Sequence, residues 1–465
     1  MKMHQAYRFA LDPTVHQRRA LASHCGAARF AFNFGLGLVK RTLDAREWER
    51  RLLGGALTES LSWSLAALRR EWNRQKDEVA PWWPENSKEA YSSGLDALAR
   101  ALRAWSDSRE GERVGAPVGF PHFRKRGHRE SCRFTTGVIR VDDERHVSLP
   151  RMGRLRTCEA TTALAARLQA DSARILSATI SREADRWFVS FTCEVERAVP
   201  AGNGHDDVIG VDLGVLRLAT LSTGEVIDGP KALRRSGRRL RRLERAVSRR
   251  CKGSARRGRV RRQSARAHRR VADLRKDCLH KLTTRLAKSH GSVVVEDLNV
   301  RGMTRSARGS VEEPGRNVRA KAGLNRALLD AGFGELRRQL AYKCPGYGSR
   351  LVLADRFFAS SKRCSGCGAV RVRLRLSERA YRCSDCGLVL DRDLNAAFNL
   401  VWWAETQRLR PHVAASAAET QNGRQGGRAI RSRAGDVLDA AATGDVPEPA
   451  GSTGGPQQRV SYVRS

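Results

Sequence analysis

The first hundred residues have a hydrophobic pattern typical of helices. Between residues 13 and 112, apolar residues recur at steps of three and four, as in VHQRRALASHCGAARFAFNFGLGLVKRTLDA and SSGLDALARALRAW. This spacing places apolar side chains on one helix face and predicts a helical domain. Pro81 and Pro84 are expected to divide it, because proline interrupts the helical hydrogen-bond ladder. Five tryptophans are expected to pack in the core, with stacking on nucleic-acid bases as the alternative: Trp63, Trp72, Trp82, Trp83 and Trp105.

The pattern changes near residue 113. GVIRVDDERHVSLPRMGRLRT and RILSATISREADRWFVSFTCEVE alternate apolar and polar residues, with turn-forming residues between them. A period of two places alternate side chains on one face of a sheet. The stretch 113–197 is therefore predicted to form an antiparallel β domain.

Residues 204–360 mix the two patterns. DDVIGVDLGV and LRLATLSTGEVI predict two strands joined by a hairpin at Gly214 and Val215, and GSVVVEDLNV (291–300) predicts a buried strand. NRALLDAGFGELRRQLAYKC predicts one amphipathic helix, and RLVLADRFFASSKRC contains a further short strand. This part of the chain is expected to be α/β.

The hydrophobic pattern fades after about residue 404. AASAAETQNGRQGGRAIRSRAGDVLDAAATGDVPEPAGSTGGPQQ is rich in Gly, Ala, Pro and polar residues. Such a composition buries too little apolar surface to offset the entropy of ordering the chain. A disordered tail is therefore predicted for 404–465.

The net charge of the chain indicates the kind of molecule that it binds. The 465 residues include 87 Lys and Arg against 49 Asp and Glu, a formal charge of +38, which favours binding to polyanions. Residues 231–276 hold 21 Lys or Arg against Glu244 and Asp273, yet their Leu, Val and Ala spacing still favours one or two long helices with a phosphate-facing side. The basic, aromatic stretch GFPHFRKRGHRESCRFT is expected to contact nucleic acid; a solvated loop is the simpler alternative.

The sequence also indicates a location. No apolar run approaches the roughly 18 residues of a membrane span. The start, MKMHQAYRFALDP, lacks the apolar segment of a signal peptide. A cytoplasmic, nucleoid-associated protein without membrane contact is therefore expected.

Four of the 11 cysteines form two spaced pairs. Cys364 and Cys367 are followed after 15 residues by Cys383 and Cys386, and a glycine follows each pair. Two such knuckles present four thiolates to one tetrahedral Zn²⁺, and glycine permits the turn that aims backbone N–H groups at sulfur. A redox dithiol needs only one pair. Because four thiolates leave no open coordination position, this zinc is expected to be structural. The other cysteines lack ligand spacing and are expected to be reduced and mostly buried: Cys25, Cys132, Cys158, Cys193, Cys251, Cys278 and Cys344.

Three acidic residues lie at unusual positions. Asp212 lies in a predicted strand, Glu296 ends another, and Asp393 opens the last predicted helix. An acid at the edge of a buried strand is unfavourable unless paired or metal-bound. If the three converge, they would hold two Mg²⁺ ions that stabilise the attacking and leaving oxygens of a phosphodiester. Singly, Glu296 could cap a turn, and Asp391 or Asp393 could be an ordinary helix N-cap. Their order, two acids on strands and one on a helix, matches a ribonuclease-H-like nuclease.

Several motifs together resemble one family. GVDLGVLRLATLSTG, VVVEDLNVRGM, SSKRCSGCG and YRCSDCGLVLDRDLNAAFNL resemble the RuvC-like nuclease and zinc ribbon of TnpB proteins. YRFALDPTVHQRRAL and GAARFAFNFGL resemble the family's opening segment. FPHFRKRG, RFTTGVIRV and ATISREADRWFVSFTCEVE resemble its wedge-type β domain. The resemblance runs from about residue 4 to 402.

The resemblance implies a multidomain α/β fold. Its parts would be a wedge-type β-barrel domain (1–12 and 113–197), a helical recognition domain (13–112), a ribonuclease-H-like (RuvC) core (204–360 and 389–403) and an inserted zinc ribbon (361–388).

The resemblance also implies an activity: a transposon-encoded, RNA-guided DNA endonuclease. Such a protein would bind a guide RNA derived from the transposon end and cut double-stranded target DNA beside a short motif. Matched by motif, Asp212, Glu296 and Asp393 would be the catalytic acids and the Mg²⁺ ligands. Arg392 and Asn395 would support the scissile phosphate or the neighbouring loop. A monomer is favoured.

Other functions remain open at this point. A compact type V CRISPR effector would share the chemistry and differ in the source of its guide. A non-cleaving RNA-guided DNA-binding protein would be expected to lack one of the acids. A zinc-ribbon nucleic-acid-binding protein of another class would leave the spaced acids unexplained. A transposase is disfavoured, because no tyrosine stands in a His-x-His setting.

Overall fold

The computed structural model describes residues 2–408, except 114, 128, 197, 199–201 and 376. The strands are β1 (Lys2–Leu11), β2 (Ser131–Phe134), β3 (Arg140–Asp143), β4 (His146–Leu149), β5 (Gly153–Arg156), β6 (Ala173–Glu183), β7 (Arg186–Glu196), β8 (Val208–Leu213), β9 (Ala219–Leu221), β10 (Val226–Ile227), β11 (Ser292–Glu296), β12 (Arg350–Ala354), β13 (Ala380–Arg382) and β14 (Val389–Asp391). The helices are α1 (Val15–Leu53), α2 (Leu65–Val79), α3 (Lys88–Arg109), α4 (Thr162–Gln169), α5 (Ala232–Ser248), α6 (Ala255–Ser289), α7 (Val300–Met303), α8 (Val318–Ala331), α9 (Phe333–Tyr347) and α10 (Arg392–Arg408).

The helices predicted for the first hundred residues are confirmed. A capping box at Thr14 begins α1, and Gly54, in a left-handed conformation, ends it. Helices α1, α2 and α3 pack together, with Trp72 stacked on Tyr91 at a ring-centroid distance of 4.7 Å. The expected core role is therefore confirmed for Trp72, whereas Trp82 is 40% exposed.

Two antiparallel sheets are formed mainly by residues that follow these helices. The first has the order β1-β7-β6-β2, and the second has the order β3-β4-β5. Strand β1 pairs with β7 along its whole length, so the start of the chain belongs to the same sheet as residues 131–196. The alternating pattern did not predict α4, whose sequence TALAARLQ lies between two strand-forming segments.

A mixed five-stranded sheet forms the next part of the chain. Its order is β10-β9-β8-β11-β12, which is third, second, first, fourth and fifth in chain order. Strands β8, β11 and β12 are parallel, and β9 is antiparallel to both of its neighbours. The predicted hairpin is present, but residues 214–218 connect its arms, and its second arm is two strands, β9 and β10.

Helices cover both faces of this sheet. Leu400 and Ala404 of α10 pack with Val294 on one face, while α6, α8 and α9 pack on the other. The single helix predicted for residues 325–344 is wrong, because α8 and α9 meet at Gly332, where φ is +76°. Glycine adopts that left-handed conformation without steric strain, so the chain turns there.

The strongly basic stretch forms two helices, as the apolar spacing predicted. Helices α5 and α6 pack against each other through Leu240 and Val271. Earlier in α6, Arg266 pairs with Asp185 at the turn between β6 and β7. Phe188 of β7 is also contacted by the guanidinium of Arg269, whose Cζ lies 4.3 Å from the ring centroid. Helix α6 therefore links the antiparallel sheet to the mixed sheet.

The end of α10 corrects the predicted start of the tail. Residues 404–408 continue the helix, and Ala404 is only 3% exposed. The boundary at residue 404 is therefore too early, and the remainder of the predicted tail (409–465) lies outside the described residues. Within the described residues, no helix is both long and apolar enough to cross a membrane.

The scattered cysteines are all free thiols in the structure, but they differ in burial. Cys25, Cys132, Cys193 and Cys344 are buried, Cys278 is half-buried, and Cys158 and Cys251 are exposed. Burial raises the pKa of the Cys25 thiol well above its usual range.

Candidate functional site

The first two predicted acids lie at one edge of the mixed sheet. Val211 of β8 is opposite Val295 of the parallel strand β11, so Asp212 and Glu296 follow together at the carboxyl ends of adjacent strands. Side chains alternate along a strand, and Gly210 and Val294 face α10. Asp212 and Glu296 therefore point toward the same helix.

Helix α10 brings the third acid to this edge by an unusually close contact. A Cβ placed on Gly210 would lie 2.0 Å from the carbonyl oxygen of Ala397, so only glycine allows α10 to lie this near β8. Asp393 precedes Ala397 by four residues and shares its helix face. Gly210 likewise shares a strand face with Asp212. The contact therefore places Asp393 beside Asp212.

The electrostatics show that the three carboxylates interact. The pKa of Asp212 is raised well above its usual range, first by removal from water and then by the negative charges of Glu296 and Asp393. The guanidinium of Arg392 partly opposes this effect. The carboxylate oxygens of the three acids are farther apart than the cysteine sulfurs. Among the described residues, the four cysteines are the group of candidate metal ligands whose ligand atoms all lie within 4.8 Å of one another.

Each of the other two acids has its own polar partner. The hydroxyl of Ser360 donates a hydrogen bond to Oε1 of Glu296. The guanidinium of Arg392 donates to Oδ1 of Asp393 at 3.2 Å, and Arg379 lies 4.0 Å from the same oxygen. These contacts hold Glu296 and Asp393 in defined positions around Asp212.

Asp391 has a separate, structural role. Its Oδ1 accepts hydrogen bonds from the backbone N–H groups of Asp393 (2.9 Å) and Leu394 (3.2 Å), and its Oδ2 pairs with Arg217 at 3.0 Å. Asp391 is therefore the N-cap of α10. The expectation that Asp393 opens the helix is corrected: Arg392 is the first helical residue, and Asp393 lies in the first turn.

Asn395 contacts the loop, which was one of its two predicted roles. Its side chain is fully buried, donates to the carbonyl oxygen of Arg363 at 2.7 Å and accepts from the N–H of Ser365 at 3.0 Å. Asn399, one turn later, donates to the carbonyl oxygens of Ser360 (2.8 Å) and Arg363 (2.7 Å). The sequence motifs did not predict a role for Ser360 or Asn399. The one signal in the sequence is a pair of asparagines four residues apart in DLNAAFNL.

The four predicted cysteine ligands come together. Their Sγ atoms all lie within 4.8 Å of one another, with Cys364 and Cys386 at 3.6 Å and Cys367 and Cys383 at 3.5 Å. Tetrahedral Zn–S bonds of about 2.3 Å require S···S separations of about 3.8 Å, so the set fits one tetrahedral ion.

The predicted glycine turns are present in both knuckles. Gly368 and Gly387 have φ values of +82° and +72°. Burial opposes ionisation of Cys364, but backbone N–H groups of Cys367 and Gly366 lower its pKa to about 7. The backbone of the first knuckle therefore favours the thiolate form of Cys364, the form that binds metal.

A basic groove lies between the helices and the antiparallel sheet. It encloses about 1270 Å³, and no acidic residue lines it within the described part of the chain. Asn33 of α1 accepts from the N–H of Arg124 at 2.8 Å and donates to its carbonyl oxygen at 3.1 Å, which anchors the predicted nucleic-acid-binding loop. The half-exposed ring of Phe123 lies beside the cations that line the groove. These cations are Arg100, Arg124, Lys125, Arg126, Arg129, Arg133 and Arg261.

These cations repel one another. Burial, followed by the charges of Arg100 and Arg129, lowers the pKa of Arg124, whose guanidinium Cζ lies 3.7 Å from the ring centroid of Phe32. Unbalanced positive charge in a concave surface attracts a polyanion. The groove therefore suits a nucleic-acid backbone.

Family models match three segments of the chain. Residues 190–307 match the OrfB_IS605 model, described as "Probable transposase". Residues 333–400 match the "Cas12f1-like, TNB domain", and residues 1–47 match a model described as "Helix-turn-helix domain". In this chain, the described residues of that last segment form a strand and one uninterrupted helix, α1, so the description does not fit their structure.

Curated relatives cover most of the chain. A Mycobacterium tuberculosis protein named "Putative RNA-guided DNA endonuclease" is 40% identical over 457 residues, which cover 93% of this chain and 94% of the relative. "Putative RNA-guided DNA endonuclease InsQ" of Escherichia coli is 32% identical over 86% of this chain and 92% of the relative. A Streptomyces pristinaespiralis relative of the same description is 36% identical over 85% of this chain and 88% of its own length.

A solved complex of Cas12f1 with guide RNA and target DNA aligns with 86% of this chain, at 12% identity and a TM-score of 0.45. That similarity is too low to support a conclusion. The sequence relatives are sufficient: this chain belongs to the TnpB (OrfB) family.

Proposed function

We propose that this protein is an RNA-guided DNA endonuclease with Asp212, Glu296 and Asp393 as its catalytic acids. The observation that carries the proposal is the convergence of these three carboxylates at one sheet edge, where Glu296 and Asp393 raise the pKa of Asp212. Family membership supports the activity, because relatives that match nearly the whole chain are named for it.

The position of the acids supports a ribonuclease-H-like, RuvC-type core. In open α/β sheets, ligands bind beyond the carboxyl ends of strands where the chain order reverses. Here β8 leads outward to β9 and β10 on one side, while β11 lies on the other. Asp212 is the penultimate residue of β8 and Glu296 is the last of β11, and the first turn of α10 adds Asp393.

The acids are suited to bind divalent cations, for which we propose Mg²⁺. Carboxylate oxygens are its preferred protein ligands. Bound there, two such ions would stabilise charge on the attacking and leaving oxygens of a phosphodiester. The protein contributes the placement: the strand edge orients Asp212 and Glu296, and α10 orients Asp393. The adjacent Arg392 is a candidate to contact the scissile phosphate.

The four-cysteine set is proposed to hold a structural Zn²⁺. Four sulfur ligands at tetrahedral separations leave no open position for substrate. The metal would fix the two knuckles against each other, and Asn395 would hold the first knuckle to α10. Its proposed role is therefore to support the segment that ends in Asp393.

The basic groove is proposed as part of the nucleic-acid interface. Guide pairing supplies sequence specificity in RNA-guided nucleases, so the protein mainly holds backbones. The groove's cations and the exposed face of Phe123 fit phosphates and a stacked base. The partners would be a guide RNA derived from the transposon end and a double-stranded DNA target, bound by a protein monomer.

The first test is to express the protein with its native flanking DNA and to sequence the RNA that co-purifies. One abundant species that continues beyond the transposon end is expected. RNA with CRISPR repeat sequence would assign the protein to the compact type V effectors, and heterogeneous cellular RNA would contradict the proposal.

The second step uses that RNA to cut a matched DNA target. Asp212→Ala is expected to lower cleavage by on the order of a thousandfold or more while RNA binding is retained. Asp206→Ala is the matched control, since Asp206 is exposed and precedes β8. Equal cleavage by the Asp212→Ala and Asp206→Ala variants would show that Asp212 is not catalytic.

A further inference from the structure

Ser360 connects the proposed active site to the cysteine knuckle. Its hydroxyl donates to Glu296, and its residue lies four positions before Cys364. It is only 3% exposed, so the hydrogen bond is shielded from water. The contact joins two parts of the chain that are 64 residues apart.

Two asparagines of α10 hold the segment between Ser360 and the knuckle. Asn399 donates to the carbonyl oxygen of Ser360, and both Asn399 and Asn395 donate to the carbonyl oxygen of Arg363. The guanidinium of Arg363 also lies over Trp402 of the same helix, 3.7 Å from the ring centroid. The backbone leading to Cys364 is therefore fastened along one face of α10.

The segment from Ser360 to the first knuckle and the helix that holds it are each connected to a proposed catalytic acid. Asp393 lies two residues before Asn395 in α10, and Ser360 contacts Glu296 directly. A displacement of the 360–365 segment would therefore remove the donor from Glu296 and the buried partners from α10. Carboxylates that bind metal depend on such outer hydrogen bonds for their orientation.

We propose that Ser360 is a positioning residue that holds Glu296 for divalent-cation binding, and that Asn399 couples this position to the cysteine knuckle. The inference rests on the proposed endonuclease function. The inference adds a way in which the cysteine knuckle supports the proposed active site. The first knuckle, Ser360 and α10 form one hydrogen-bonded unit, and Ser360 contacts Glu296.

The test compares Ser360→Ala with Ser361→Ala, a matched control for which the described part of the chain shows no side-chain contact with Glu296. Guide-bound protein is titrated with Mn²⁺, and bound Mn²⁺ is measured by electron paramagnetic resonance without any DNA target. Ser360→Ala is expected to weaken Mn²⁺ binding about tenfold or more. Ser361→Ala is expected to bind like the wild type, and Ser360→Thr, which keeps the hydroxyl, is expected to restore much of the affinity.

Cleavage is then measured under single-turnover conditions across Mg²⁺ concentrations. Ser360→Ala is expected to raise the half-saturating Mg²⁺ concentration by a similar factor, with the rate at saturating Mg²⁺ within about threefold of the wild type. A merely structural role would lower the fraction of active protein or its thermal stability and leave the Mg²⁺ dependence unchanged. That result would overturn the proposal.

A double-mutant cycle tests the coupling through Asn399. If Ser360 and Asn399 act as one unit, the effects of Ser360→Ala and Asn399→Ala on the Mg²⁺ requirement will be less than additive. Additive effects would remove the coupling part of the proposal. Failure of the wild-type protein itself to cleave would instead contradict the proposed function, so the two failures are distinguishable.

Discussion

Among individual residues, Asp212 has a pKa that depends strongly on the groups around it. Nothing in VIGVDLG distinguishes it from an acid at an ordinary strand end. The structure surrounds it with Glu296 and Asp393, and the first cause of its raised pKa is loss of contact with water. An ionised Asp212 is therefore unfavourable for the fold unless a cation is present. The proposed function of Asp212 and the stability of the fold are therefore opposed.

This opposition predicts the effect of Asp212→Asn. In the absence of divalent cations at neutral pH, the variant is expected to raise the melting temperature by about 2 °C, because it removes a charge repelled by two neighbours. The same variant is expected to abolish cleavage. Calorimetry in chelator-containing buffer checks the first effect, with Asp206→Asn as the exposed control. A lower melting temperature for Asp212→Asn would show that the carboxylates do not repel one another.

His24 predicts a pH dependence of stability. Its Nδ1 lies 2.8 Å from the carbonyl oxygen of Ala20, and the N–H of Ser87 donates to its Nε2 at 3.2 Å. This arrangement requires neutral imidazole. Burial lowers the pKa of His24; the bond to Ala20 acts in the opposite direction, and the charge of Arg151 lowers it further. The contribution of His24 to stability is thus complete above pH 6.5 and is lost as pH falls toward its lower folded-state pKa.

His24→Gln is expected to reduce the fall in unfolding free energy between pH 7 and pH 5, to which one histidine contributes at most about 1.4 kcal/mol per pH unit. Urea denaturation at several pH values measures this slope. His16→Gln, an exposed substitution in the same helix, is the control and is expected to change little. A slope unaffected by His24→Gln would contradict the neutral-imidazole assignment.

Among the elements, the contact between α10 and β8 decides whether the three proposed catalytic acids come together. Gly210 is the position where the helix backbone meets the strand, and Val401 also lies 3.1 Å from its added Cβ. The helix would be displaced by any side chain there, and Asp393 would move with it. Its N-cap, Asp391, fixes the start of the helix and is tied by Arg217 to the loop after β8. One strand and its following loop therefore place the helix at two points.

Gly210→Ala is accordingly expected to destabilise the fold by about 1–3 kcal/mol and to lower cleavage at least a hundredfold. Chemical denaturation and cleavage at saturating Mg²⁺ measure the two effects. Gly334→Ala in α9 is the control, because no atom lies within 4 Å of its added Cβ, and it is expected to stay within about 1 kcal/mol of the wild type. Full cleavage by Gly210→Ala would exclude the proposed importance of this contact.

For the whole molecule, the dominant feature is positive charge arranged around a groove. The formal charge of +38 is spread along the chain, but the groove combines cations from α3, the loop before β2, β2 and α6. These segments come from distant parts of the sequence. Counterion release should make nucleic-acid binding there strongly dependent on salt.

A single cation of the groove should account for a measurable part of the salt dependence of nucleic-acid binding. Arg133→Gln is expected to reduce the slope of log affinity against log salt concentration for guide RNA by about one. Fluorescence anisotropy at several salt concentrations measures the slope. Arg18→Gln, an exposed substitution at the start of α1 and outside the groove, is the control. If both substitutions reduce this slope by the same amount, RNA binding is not localised to the groove.

The amino-acid sequence by itself determined the features that depend on near neighbours. The spacing of Cys364, Cys367, Cys383 and Cys386 predicted one four-sulfur set, since each pair closes within a single turn. The helical period predicted α1, α5 and α6 for the same reason. It failed at Gly332, where the apolar pattern continues through a residue whose backbone turns, and it missed α4, which is too short to produce a strong pattern.

Only the tertiary structure decided how distant residues meet. The motifs and the family resemblance proposed the three acids, but the contact of Gly210 with Ala397 is what brings Asp393 to Asp212. The hydrogen bond from Ser360 to Glu296 and the separate role of Asp391 as a helix cap also became visible only in the fold. The physical reason is that such contacts depend on distances between whole elements packed together, and no periodicity along one segment encodes the position of another.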